Sequence, residues 1–110
     1  MITRGLDGGV FLFPRQSFQE QVQTLSKLGF TKKTHRDFVR LLTNDAEEVS
    51  ADKLGRISLP DHLRASAQLT KNVVIVGSFE RVEIWDVEKY HTYIETVAQD
   101  AEAIAEAIEG

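Results

Sequence analysis

Hydrophobic positions fall along this chain in two rhythms. Residues 2–4 (Ile-Thr-Arg) and 10–13 (Val-Phe-Leu-Phe) have the short, β-branched and aromatic character of strands, around a Leu6-Asp7-Gly8-Gly9 turn. Pro14 stops that pattern, because it has no N–H to give a sheet ladder. The spacing then changes to threes and fours: Phe18, Val22, Leu25 and Leu28 share one helical face. Ser17-Phe18-Gln19-Glu20 predicts a capping box at its start, and Gly29 predicts its close. Phe30 and Thr31 lead into a second predicted helix over residues 32–42, apolar at Phe38, Leu41 and Leu42 and broken by Thr43-Asn44-Asp45. Residues 47–51 and 56–59 predict a hairpin around Asp52-Lys53-Leu54-Gly55. There Asp52 can accept bonds from the following N–H groups, and Gly55 supplies a positive φ. Pro60 opens a short helix to Ala67. Residues 72–76 and 82–85 predict a last hairpin, and a helix beginning at Asp86 or Glu88 runs to the end. In it Tyr90, Ile94, Val97, Ala101, Ile104 and Ile108 form a heptad-like seam, with Glu95, Asp100, Glu102 and Glu106 opposite. That seam either packs on its own domain or forms a subunit contact, since a helix of roughly 20 residues spans about 30 Å.

The chain repeats itself. Gly5, Val10, Leu12, Phe13, Phe18 and Val22 align with Gly77, Val82, Ile84, Trp85, Tyr90 and Ile94 at an offset of 77 − 5 = 72. Each copy reads as strand, turn, strand, large aromatic, helix. Such a unit ordinarily cannot bury its own apolar face. The copies are unequal, because the hairpin pattern of residues 47–60 precedes the second while only Met1 precedes the first.

At 110 residues the chain can build one compact domain or two fused half-domains. Without cysteine it holds no disulfide and no thiolate metal site. It shows no signal peptide and no membrane-spanning run, which predicts a cytoplasmic protein. The net charge of −4 conceals an asymmetry: residues 1–64 carry 10 − 8 = +2 and residues 65–110 carry 3 − 9 = −6. Local field governs phosphate binding, so the acidic total weakens a nucleic-acid reading without removing it.

The run from Asp52 through Gly55-Arg56, Leu59-Pro60 and Leu63-Arg64 resembles the D-x-x-G-R-x-x-[IL]-P-x-x-[LF]-R signature of the MraZ family. Thr3-Arg4-Gly5-Leu6-Asp7, Phe13-Pro14 and Val82-Glu83-Ile84-Trp85 are similar to that family too, as is the order of the elements. The resemblance covers essentially the whole chain. It implies an α+β fold, an AbrB-like swapped-hairpin β-barrel with flanking helices. It also implies a sequence-specific DNA-binding regulator, typically a repressor of the bacterial division and cell-wall gene cluster. Expected partners are double-stranded DNA with short direct repeats and further copies of the chain, in a nucleoid-associated homo-oligomer with no cofactor, membrane or small-molecule substrate. The family carries its signature twice, so the chain reads as N-terminally truncated, with Met1 as a new start. Residues 1–30 then form the remnant of a first repeat, 31–44 a connecting helix, and 45–110 a complete second repeat.

Lys53, Arg56 and Arg64 are the candidate DNA contacts, because arginine can grip phosphate or a guanine edge and lysine supplies a mobile charge. A two-stranded ribbon also fits the major groove. The competing reading is that Asp52 and Arg56 pair across the turn and merely fix it. Asp52, Gly55 and Pro60 are assigned to the geometry of the motif. Lys32, Lys33, His35, Arg36 and Arg40 form either a second phosphate track or a solvated face. His35, His62 and His91 lack metal-ligand spacing, no serine lies in a nucleophile elbow, and Glu80 and Glu83 are expected in solvent. The chain therefore reads as no enzyme. A self-assembling module without DNA binding is the alternative, and an antitoxin-like partner of another protein a further one.

Overall fold

The computed structural model describes residues 1–29 and 31–109. Phe30, expected in a connection, lies outside them. Two hairpins, β1 (Ile2–Arg4) with β2 (Val10–Leu12) and β3 (Val73–Ser78) with β4 (Arg81–Asp86), join into one antiparallel sheet of order β1-β2-β4-β3. Helices α1 (Arg15–Lys27) and α2 (Lys33–Asn44) follow the first hairpin. Helix α3 (Asp61–Ser66) precedes the second, and α4 (Val87–Gln99) and α5 (Ala101–Glu109) follow it.

The join between hairpins bears out the repeat. Val10 pairs with Ile84, Phe11 with Glu83 and Leu12 with Val82. With an offset of 72, this register is that of a pseudo-twofold axis through the Phe11–Glu83 pair. Helices α1 and α4 obey the same offset, since 15 + 72 = 87 and 27 + 72 = 99. Phe13 against Phe18 at 5.9 Å is matched by Trp85 against Tyr90 at 5.5 Å. The outer strands depart from it. The first hairpin has three residues between Gly5 and Gly9, and the second has two between Ser78 and Arg81. Gly5 therefore takes the place of Ser78 rather than of Gly77, and Ile2 takes the place of Ile75.

One face of the sheet carries Ile2, Val10 and Ile84. Leu63 and Ala67 cover these residues, with Val49, Leu59 and Leu69 at the margin. On the other face Phe11, Phe13, Phe18 and Leu42 pack together, closed by Val22, Leu25 and Phe38. Beside them Trp85 stacks on Tyr93 at 5.1 Å. The two faces are tied by polar contacts at the end of α2. The Thr3 hydroxyl donates to the Leu42 carbonyl at 2.7 Å, and the Arg4 guanidinium meets the Asp45 carboxylate at 2.6 Å. Lys89 bridges the repeats, donating to the carbonyls of Gly8 and Ala67.

Several expectations are corrected. Residues 47–51 and 56–59 are not strands: the two arms share one backbone bond at the turn, Asp52 N–H to Arg56 C=O, and elsewhere run apart. Their apolar side chains Val49 and Leu59 are drawn onto the sheet face instead, which outweighs pairing with each other. The sheet is consequently open, not closed as a barrel among the described residues. No capping box forms, because α1 starts at Arg15 behind Pro14 and Ser17 already lies inside it. Pro60 precedes α3 rather than opening it. The last helix breaks at Asp100, whose φ of −107° and ψ of 18° leave the helical region. Glu83 is not in solvent, for it accepts from Arg81 and from the Trp85 indole at 3.0 Å. The closes at Gly29 (φ 62°) and at the Asp86 cap of α4 stand as read.

Two outcomes follow from this packing. A Cβ on Gly9 would lie 2.8 Å from the Trp85 indole nitrogen, whereas one on Gly77 would meet nothing within 4 Å. Gly9→Ala is therefore expected to cost about 1–3 kcal/mol by overpacking, and Gly77→Ala much less, as read by urea denaturation. The Asp86 carboxyl is held below its ordinary range, chiefly by the Thr70 hydroxyl and further by the Lys89, Thr70 and Glu88 N–H groups. Its contribution to stability is complete above the unfolded pKa of about 3.9 and is lost as pH falls through the lowered folded value. Asp86→Asn should thus lower Tm most near neutrality, and the gap from wild type should close under acid.

Candidate nucleic-acid interface

The signature loop is built around one carboxylate. Asp52 Oδ1 accepts from the N–H of Leu54 at 2.8 Å and of Arg56 at 2.9 Å, and Oδ2 accepts from Arg56 Nε at 3.0 Å. The Gly55 N–H donates to the Asp52 carbonyl at 3.0 Å, and Gly55 takes a φ of 78°. The Arg56 N–H is the largest influence holding the Asp52 carboxyl below its usual range, followed among the favourable ones by the Leu54 N–H and the Arg56 side chain. Asp52 therefore stays ionised and keeps the turn closed. Both readings of Arg56 hold in part: it fixes the turn through Nε, yet its side chain remains 72% exposed. Among the described residues its terminal nitrogens have no partner. Lys53 is exposed at the same tip with no ion pair among the described residues, and Leu54 beside it is 76% exposed.

Arg64 is engaged elsewhere. It forms an ion pair with Asp61 one turn earlier in α3, and these two line an open depression with Ala65, Gln68 and Leu69. The turn's own concavity, about 560 Å³, is lined by Val49, Ser50, Asp52, Arg56, Ile57 and Ser58. The structure thus brings Asp52, Lys53 and Arg56 together and leaves Arg64 on a separate depression. Pro60 serves the motif by setting the extended entry to α3, with φ −57° and ψ 140°.

The basic stretch on α2 is largely self-neutralised. Lys33 and Arg40 both meet Asp37, at 2.6 and 3.2 Å, and Lys33 is the main cause of the lowered Asp37 pKa. Its solvated-face reading is the one this pairing favours. His35 rests on the Leu28 carbonyl and His62 on the Asp45 carbonyl, while His91 lies against Tyr90. Among the described residues no cluster of His, Asp and Glu could hold a metal. None of the described helices is long and apolar enough to cross a membrane. Sequence reasoning missed Asp45, which anchors both Arg4 and His62. It read as a helix breaker, and only its chain-distant partners reveal the role.

A small α+β domain that holds a cationic turn clear of its sheet on one carboxylate has the form of a surface-binding module. Comparison with known proteins is more specific. The family model for the MraZ protein, described as antitoxin-like, matches residues 42–109. The chain is 42% identical over 106 residues to "Transcriptional regulator MraZ" of Heliobacterium modesticaldum, covering 96% of this chain and 74% of that protein. Over 107 residues it is 39% identical to the protein of that name from Halothermothrix orenii, covering 97% and 75%. Over 108 residues it is 41% identical to that of Desulforamulus reducens, covering 98% and 76%. The chain belongs to the MraZ family.

Gly55→Val should destabilise the fold by about 1–3 kcal/mol through backbone strain alone, since a β-branched residue resists positive φ. The space around it is open, with nothing within 4 Å of a built Cβ. Lys53→Ala should leave the melting temperature nearly unchanged. Equal effects in thermal melts would place Gly55 outside the turn position assigned to it.

Proposed function

We propose that this chain is a sequence-specific, DNA-binding transcriptional regulator that acts as a homo-oligomer on short direct repeats. The observation that carries this reading is the carboxylate-braced turn, which offers Lys53 and the outer face of Arg56 to solvent. A braced turn loses little conformational freedom on binding, so its charge is presented at low entropic cost. Arg56 is assigned to a base edge or phosphate, Lys53 to phosphate, and Arg64 to a flanking phosphate reached by exchanging Asp61. Repression of the division and cell-wall gene cluster, at the nucleoid, is the role that family membership suggests for the bound form.

The finer architecture belongs to the same proposal. Residues 1–30 and 45–110 form unequal repeats joined by residues 31–44, and the isolated bridge between Ile2 and Glu47 is the start of hairpin exchange between them. The extra copies of the signature that a swapped-hairpin barrel needs are supplied by oligomerisation, which also raises affinity through avidity.

The test is a salt-dependent titration of wild type, Arg56→Ala and Lys53→Ala against direct-repeat and scrambled duplexes. Arg56→Ala should weaken specific binding by about 1–3 kcal/mol if it reads a base. Lys53→Ala should weaken all sequences alike and reduce the salt slope by about one. Identical curves for the three proteins would remove this turn from DNA recognition. Absence of binding by wild type at low salt would favour the self-assembling module.

A further inference from the structure

Ile2 and Ile75 hold equivalent places in the two halves, yet their surroundings differ. Ile2 is fully buried, and its N–H and C=O are both bonded to Glu47 at 2.8 Å on the outer edge of β1. The same arm continues through Val49 and Leu59 to Leu63 and Ala67, covering the face beneath. Ile75 is 69% exposed and Val73 39%. Because Ser78 and Arg81 close a two-residue loop, Ser78, Val76 and Val74 turn their backbone groups toward β4. Val73, Ile75 and Gly77 therefore direct theirs outward from the last strand of the sheet, where no described residue takes them.

An exposed edge is ordinarily protected by charge, proline or a bulge. Strand β3, Val-Val-Ile-Val-Gly-Ser, has none of these, and its register with β4 is unbroken. The chain has two equivalent edges but a single arm, residues 46–69, and that arm occupies β1.

We propose that β3 pairs with β3 of a second copy, antiparallel about a twofold axis at Ile75, giving one continuous sheet. This deepens the oligomer reading above by naming its surface, and it does not depend on DNA contact. The register is self-complementary. Ile75 meets its own counterpart, and Val73 lies opposite Gly77 of the second copy, whose missing side chain leaves open space. Lys71 falls beside Phe79 of the second copy, next to Glu80, so opposite charges meet at both ends. Phe79, wholly exposed at a positive φ of 54°, gains a neighbour in the same register. The contact is isologous and closes at two copies.

Sedimentation equilibrium and amide hydrogen exchange test it together. Wild type should dimerise with concentration between about 10 µM and about 1 mM, the span of modest affinities. The Ile75 and Gly77 amides should gain protection in step. Ile75→Lys should weaken association at least about tenfold while leaving the near-UV signal of Trp85 unchanged, and Val73→Lys should act in the same direction if the first variant folds poorly. A dimer that survives both substitutions with unprotected Ile75 and Gly77 amides would overturn the β3 contact while leaving oligomerisation standing, and would point to the α4–α5 seam. A strict monomer would overturn both. If a synthetic peptide of residues 46–69 protects these amides one-to-one on a monomeric chain, the edge is an acceptor for that arm and the self-pairing is overturned.

Discussion

The pairing of β2 with β4 is the contact on which the rest of this structure depends. It joins two hairpins that are each too small to stand alone, since an isolated two-stranded hairpin is marginal in water. Its register sets Val10 beside Ile84 on one face and Phe11 beside Glu83 on the other. A slip by one residue would send every one of these side chains to the opposite face. The register therefore decides at once which residues face the arm of residues 46–69 and which face the helices. It also fixes where each helix leaves the sheet, because Phe13 and Trp85 end the paired strands and hand the chain to α1 and α4.

Around that axis the halves diverge through the side chains that cover them. In the first half α2 closes over Phe18, Val22 and Leu25, so the aromatic pair Phe13–Phe18 is buried. In the second half no described helix takes the matching position. Ile94 remains 41% exposed, and the seam of α4 and α5 opens outward. The Phe11–Glu83 pair marks the same divergence. Arg81 lies 4.5 Å over the Phe11 ring and also meets Glu83, so the second copy's carboxylate is drawn into a polar bridge where the first copy has a ring.

The signature loop stands apart from this packing. Its backbone is held by the carboxylate of Asp52 rather than by a strand ladder, so its geometry is local and its tip is free of the sheet. Local bracing of this kind lets a charged turn keep its shape while contributing little to the core. Family membership and this turn agree on a surface-recognition role, and the acidic α4–α5 end keeps the positive tip electrostatically distinct from the rest of the molecule.

The sequence by itself determined much of this protein. Its internal repeat located both hairpins and both post-hairpin helices, because offset and alternation are properties of neighbouring residues. The Asp52–Gly55 turn was legible for the same reason, since each of its bonds spans at most four positions. Tertiary structure alone decided the rest. Residues 47–51 and 56–59 look like strands, but Val49 and Leu59 gain more by packing under the sheet than by facing each other. The helix start at Arg15 and the break at Asp100 depend on packing that a capping pattern or a heptad cannot register. The fates of Ile2 and Ile75, one sealed and one bare, were set by which edge the single arm of residues 46–69 covers. No periodicity records that choice, because it is made between segments more than forty positions apart.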